Sequence, residues 1–126
     1  MSARKNQNVE LYQGDYAIMY VTVFDRLNQR VQLSTGTMTF LYHVTRHKRN
    51  PSPLFTKTLG DGISIDADQT GSNRGLMYIE IDPSDTSQFE GKLYHEAKIT
   101  DLSGVPASRP RVVMEGDFTV LVSTTQ

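Results

Sequence analysis

The sequence predicts an all-β domain, an antiparallel two-sheet sandwich of seven to eight strands, on three observations. Hydrophobic side chains alternate with a period of two in segment after segment. Gly, Asn, Asp and Pro punctuate those segments at the short intervals of a two-sheet fold. Helical periodicity is nearly absent, which leaves no crossover helices for a parallel sheet, so antiparallel pairing is expected throughout. At 126 residues the chain has the length of one domain. It divides into a flexible N-terminal arm over 1–8 and a single folded unit over 9–126.

Taken in order, Asp15 to Phe24 is the first long run, with Ala17, Met19, Val21 and Val23 on one face and Tyr16, Ile18, Tyr20 and Phe24 on the other. A strand apolar on both sides wants cover on both. Asp25 to Arg30 reads as a polar turn and Val31 to Leu33 as a short strand. Thr37 to Arg46 alternates, turning Met38, Phe40, Tyr42 and Val44 inward and Thr39, Leu41, His43 and Thr45 outward. Arg46, His47, Lys48 and Arg49 then lead into Asn-Pro-Ser-Pro. Proline has no N–H to donate to a ladder, so this stretch is an exposed loop.

Leu54 to Leu59 and Ile63 to Ile65 read as strands joined by Gly60-Asp61-Gly62, a turn that tolerates positive φ. Leu76 to Asp82 sets Met77, Ile79 and Ile81 against Tyr78 and Glu80. Asp82 and Pro83 suit the start of a single helical turn. Leu93 to Thr100 turns Leu93, His95, Ala97 and Ile99 inward. Arg111 to Val122 does the same with Val112, Met114, Gly116, Phe118, Val120 and Val122.

Composition narrows the function. The chain has no cysteine, which removes disulfides, thiolate zinc sites, redox pairs and a cysteine nucleophile together. With 13 basic and 14 acidic side chains the net charge is -1, so no global field draws a polyanion, and neither nucleic acid nor a membrane is an expected partner. Apolar runs fall far short of the ~20 residues of a membrane-spanning helix. Met1 to Asn8 is polar and has no apolar segment behind it, unlike a secretory signal.

The candidate chemistries fail on spacing. Asp66-Ala67-Asp68-Gln69-Thr70-Gly71 opens like a calcium loop, but the twelfth position is Met77 where a bidentate Glu is required, and strands flank it. No spacing holds His43, His47 or His95 beside a hydroxyl and a carboxylate as nucleophilic catalysis demands. His43 reads as solvated on an outer face, His47 as part of the basic loop, and His95 as a buried histidine satisfied by one hydrogen bond. His43 and His47 are four apart, a spacing that gathers side chains on a helix, whereas here a strand runs into a loop between them. The glycine pairs lack the lysine and following helix of a phosphate site. No catalytic residue, metal or cofactor is expected.

One order of short motifs carries a resemblance: Gly14-Asp15 before a long strand, Gly62-Ile63-Ser64-Ile65, Gly75-Leu76-Met77-Tyr78-Ile79, Asp82-Pro83-Ser84-Asp85-Thr86, Gly91 to Asp101, and Glu115-Gly116-Asp117-Phe118-Thr119-Val120. Over about residues 9 to 122 this order resembles the small immunoglobulin-like domains of tailed-bacteriophage virion proteins, similar to the N-terminal domain of baseplate upper and fibre-attachment proteins. The resemblance implies an immunoglobulin-like sandwich and a non-enzymatic structural role in a tail, baseplate, neck or capsid. It also implies assembly in the bacterial host cytoplasm, with other virion proteins and copies of itself as partners. No fibre region follows Gln126, so a stand-alone adaptor or decoration protein is the expectation.

The residues expected at a protein interface are Tyr16, Ile18, Tyr20 and Phe24 on the second apolar face of the first long strand, together with Arg46, His47, Lys48 and Arg49 in the basic loop. The alternative reading is a carbohydrate-binding or adhesin module in which Tyr12 or Tyr78 stacks on sugar rings.

Overall fold

The computed structural model describes residues 5–25, 27–49, 52–102 and 110–122. Among them nine strands and one helical turn follow in order: β1 (Lys5–Asn6), β2 (Val9–Tyr12), β3 (Ala17–Thr22), β4 (Met38–Thr45), β5 (Phe55–Leu59), β6 (Gly62–Ile65), β7 (Leu76–Ile81), α1 (Pro83–Thr86), β8 (Gly91–Asp101) and β9 (Arg111–Leu121). The all-β expectation holds, and Pro83 does begin the single helical turn.

The strands form one mixed sheet in the order β1-β9-β8-β4-β5-β6-β7-β3, with β2 also on β9. Two antiparallel stretches dominate it. One runs β9-β8-β4-β5 and the other β6-β7-β3. Among the described residues their ladders meet at β5 and β6, whose parallel contact is two residues long. Inward side chains of both stretches, among them Val21, Tyr42, Ile79 and Phe118, form one buried core.

Antiparallel pairing throughout was the wrong expectation. β1 and β2 both run parallel to β9, placing Lys5 beside Met114 and Leu11 beside Val120. No crossover helix is needed, because almost the whole domain connects these strands. Of the arm expected over 1–8, Lys5 to Asn8 belong to the sheet or its edge, and Met1 to Arg4 lie outside the described residues. The Gln7 amide donates to the Glu115 carbonyl at 2.8 Å, and the Asp117 amide donates to Asn8 Oδ1 at 2.9 Å.

Gly116 makes this close approach possible. A Cβ there would sit 2.7 Å from Asn8 Oδ1 and overlap the Gln7 carbonyl. The opposite end of the sheet is touched by the same segment, since Gln7 Nε2 donates to the Tyr20 carbonyl of β3 at 3.2 Å.

Alternation placed most side chains on the right face. Met19, Val21, Phe40, Tyr42, Val44, Met77, Ile79, Ile81, Leu93, Ala97, Ile99, Met114, Phe118 and Val120 are buried as expected. Four details differ. Val31 to Leu33 is no regular strand, although the Val31 amide donates to Val23 at 3.0 Å and Leu33 is buried. A bulge between Ala97 and Lys98 lets Val113 share the core with Met114, while Val112 is only half-buried. Thr45 is buried, its hydroxyl donating to the His47 carbonyl at 2.8 Å. Val122, expected inward, is exposed beyond the end of β9.

Two polar side chains are buried as structural ties. Lys57 of β5 lies 2.7 Å from Asp85 and 3.3 Å from Asp82 at the helical turn. Burial opposes its charge, but the two carboxylates outweigh that and raise its pKa. Gln69 Oε1 accepts the amides of Leu33 at 2.9 Å and Gly75 at 3.0 Å, while its Nε2 donates to the Asp66 carbonyl. The loop read from sequence as an imperfect calcium site is therefore organised by its own side chains. Asp66 accepts from the Asp68 amide, Asn73 and the Tyr78 hydroxyl.

Candidate functional site

The outer face of β3 continues across β7 to β6 as a groove of about 540 Å³. Antiparallel register places Ile18 beside Glu80 and Tyr20 beside Tyr78, and then Tyr78 beside Ser64. The Tyr20 and Tyr78 rings meet edge to face with centroids 5.2 Å apart, the geometry their quadrupoles favour. Ile63 forms part of the floor, and Gly60 and Gly62, both at positive φ, line it at the turn between β5 and β6.

At the margin the Tyr16 hydroxyl donates to Glu80 Oε2 at 2.7 Å, and that carboxylate raises the phenol's pKa. The Tyr78 pKa is raised in the same way by Asp66. Among the described residues that line the groove, Glu80 alone is charged.

Three of the four apolar residues predicted for an interface lie on this face. Tyr16 is 54% exposed, Ile18 46% and Tyr20 62%. Phe24 does not join them. It lies beyond β3, half-buried where it bridges to Arg30, and its carbonyl accepts from Arg111 at 3.0 Å. The chain turns away at Asp25, so strand parity stops placing side chains there.

Arg46, His47, Lys48 and Arg49 follow β4 and are all exposed. The Arg46 guanidinium lies over the Phe89 ring, 5.9 Å from its centroid. Lys48 reaches within 3.6 Å of Glu115. The loop overhangs a second cleft, of about 550 Å³, whose walls include Asn8, Lys92, Tyr94 and Asp117. This cleft shares no lining residue with the tyrosine groove, so the two groups of predicted residues form two surfaces.

A polar network not foreseen from the sequence covers β4, β8 and β9 beside that cleft. Glu96 and Glu115 stand opposite each other in register. The Tyr94 hydroxyl lies 2.7 Å from Glu115 and 3.0 Å from Glu96, and burial together with these carboxylates pushes its pKa far up. Lys98 lies 3.2 Å from Glu96, as does His43, which is half-buried and paired where a solvated side chain was expected. Burial lowers the His43 pKa against the pull of Glu96.

His95 is fully buried and makes two hydrogen bonds where one was expected. Its Nε2 lies 2.7 Å from the Gln7 carbonyl and its Nδ1 3.0 Å from the Tyr42 hydroxyl. A carbonyl only accepts, so Nε2 carries the proton and Nδ1 accepts from Tyr42. Burial lowers the His95 pKa and favours this neutral tautomer. The residue ties the N-terminal segment to the core and opens to neither cleft.

Among the described residues no group of three or more His, Asp or Glu side chains is placed to hold a metal, and no helix is long and apolar enough to cross a membrane. No protein-family model matches this chain, and no curated protein matches its sequence.

Proposed function

We propose that this chain is a non-enzymatic structural protein of a tailed-phage virion, built on an immunoglobulin-like sandwich and acting through contacts with other proteins. The observation that carries the reading is the row of Tyr16, Ile18 and Tyr20, three large side chains left open on the terminal strand of the sheet. Covering what remains open of three such groups, each already about half covered, is worth on the order of 2 to 5 kcal/mol before the costs of association. A face of this kind suits a permanent assembly.

The sandwich reading draws support from the two antiparallel stretches and the slight β5–β6 contact between them. A strand order that separates β9-β8-β4 from β3-β7-β6 fits two sheets packed on a shared core. Proteomics of purified particles from cells carrying the gene in its native setting tests the function. The chain is expected in fixed stoichiometry with tail or head proteins, and its absence from particles refutes the reading.

The Tyr20–Tyr78 pair beside Ser64 and Glu80 favours a second reading, a carbohydrate-binding module. Tyr12, exposed on β2, lines neither cleft. A glycan array returning hits that Tyr20→Ala abolishes supports this alternative, and an array without hits removes it.

A further inference from the structure

We propose that the tyrosine groove of one copy receives the Arg46–Arg49 loop of a second copy. The inference rests on the protein-contact reading above and goes further by naming the partner and both faces of the contact. The groove offers two tyrosine rings and a single carboxylate. Tyr16 holds Glu80 through Oε2, which leaves Oε1 pointing to no hydrogen-bond donor among the described residues. Aromatic faces beside an acceptor-only group select a cation, and guanidinium serves both parts at once by stacking and by donating.

The loop carries the complementary chemistry. Arg46 already stacks on Phe89, which shows a guanidinium of this loop lying against an aromatic ring. Arg46 and Arg49 are exposed, and neither has a carboxylate within ion-pair distance among the described residues. Lys48 reaches Glu115 at the surface, anchoring the loop over β9 and away from the chain's own groove on β3, β7 and β6.

A net charge of -1 sets up little repulsion between copies, so local patches decide how they meet. The contact joins two different patches. An open assembly therefore ends in an unused groove on one side and an unused loop on the other, unless it closes on itself.

Sedimentation velocity on the full chain tests this. Wild type is expected to self-associate reversibly, and less so as salt shortens the Debye length from about 10 Å at 0.1 M to about 3 Å at 1 M. Glu80→Lys disables the groove and the double variant Arg46→Glu/Arg49→Glu disables the loop. Each is expected to weaken association by roughly tenfold or more, as loss of a close charge pair does. All three positions are exposed, and unchanged urea midpoints verify that the variants fold.

Mixing the two disabled proteins is the decisive arm. The intact loop of one meets the intact groove of the other, so the mixture re-associates although neither component does alone. A wild type that stays monomeric overturns the inference, as does association that neither variant weakens, or a groove that binds glycans while the protein remains monomeric. The presence of the chain in particles is read separately, so failure here leaves the virion reading to its own test.

Discussion

Replacing Gly116 with alanine should release the N-terminal segment from the sheet. The added methyl group meets backbone and a short side chain, the Gln7 carbonyl and Asn8 Oδ1, and neither can swing aside without leaving its place. Four hydrogen bonds depend on that placement. They are His95 to the Gln7 carbonyl at 2.7 Å, the Gln7 amide to Glu115 at 2.8 Å, the Asp117 amide to Asn8 at 2.9 Å and Gln7 Nε2 to Tyr20 at 3.2 Å.

At about 1 kcal/mol each they sum to about 4 kcal/mol, from which alanine's advantage over glycine in a strand, roughly 0.5 to 1 kcal/mol, is subtracted. The expected loss is thus about 3 kcal/mol, or a fall of about 10 °C in Tm for a domain of this size. Urea unfolding measures the loss, and amide exchange at Leu11 and Tyr12 locates it. A variant within about 1 kcal/mol of wild type, or one whose exchange at β2 is unchanged, refutes the reasoning.

Gln69→Leu strips the acceptor from the amides of Leu33 and Gly75, and at about 1 to 3 kcal/mol for each stranded donor it should cost about 3 kcal/mol in urea unfolding. A cost below about 1 kcal/mol contradicts that role. Lys57→Met leaves Asp85 without its buried cation and should destabilise by about 3 kcal/mol, with much of the loss recovered when Asp85→Asn is added. Additive losses in the pair would show that the ion pair is not what Lys57 contributes.

The His95 and His43 pKa values are both lowered by burial, so the unfolded chain binds more protons as the pH falls. Their contribution is complete above the unfolded histidine value of about 6.5 and is lost as the pH drops through the lower folded values. Stability should therefore decline from pH 7 toward 5, and His95→Gln should flatten that decline. An unchanged slope in this variant counts against the neutral, buried His95.

The inward faces of β3, β4, β7 and β8 were legible because each strand is long enough for alternation to fix its parity, and burial of a one-residue slip would be costly. Parity failed where a local event displaced the chain. The consecutive apolar residues Val112, Val113 and Met114 conceal a bulge, since any of them could serve the core. Phe24 kept the alternation of β3 on paper although the β3 ladder ends at Thr22 and Phe24 bridges to Arg30.

The parallel N-terminal strands left little local trace. Lys5 to Asn8 is polar, and its partner strand lies about a whole domain away in sequence. One signal was available: a glycine inside an otherwise bulky strand marks close backbone approach, and Gly116 does so here. Lys57 and Gln69 carried no such mark, because a long polar side chain is buried only by what folding brings to it. Of the candidate surface, Tyr16, Ile18 and Tyr20 followed from alternation. Their union with Tyr78 and Glu80 depended on cross-strand register, which the sequence does not encode locally.

A structural role in a particle requires that the tyrosine face be covered by protein in the working assembly. A photo-cross-linking amino acid placed at Tyr20, with a second placed at exposed Thr56 as a control, reports this directly in purified particles. Cross-links from position 20 to a protein neighbour, at a yield well above the control, are the predicted result. A position 20 that captures no protein while the chain is present in the particle would contradict it.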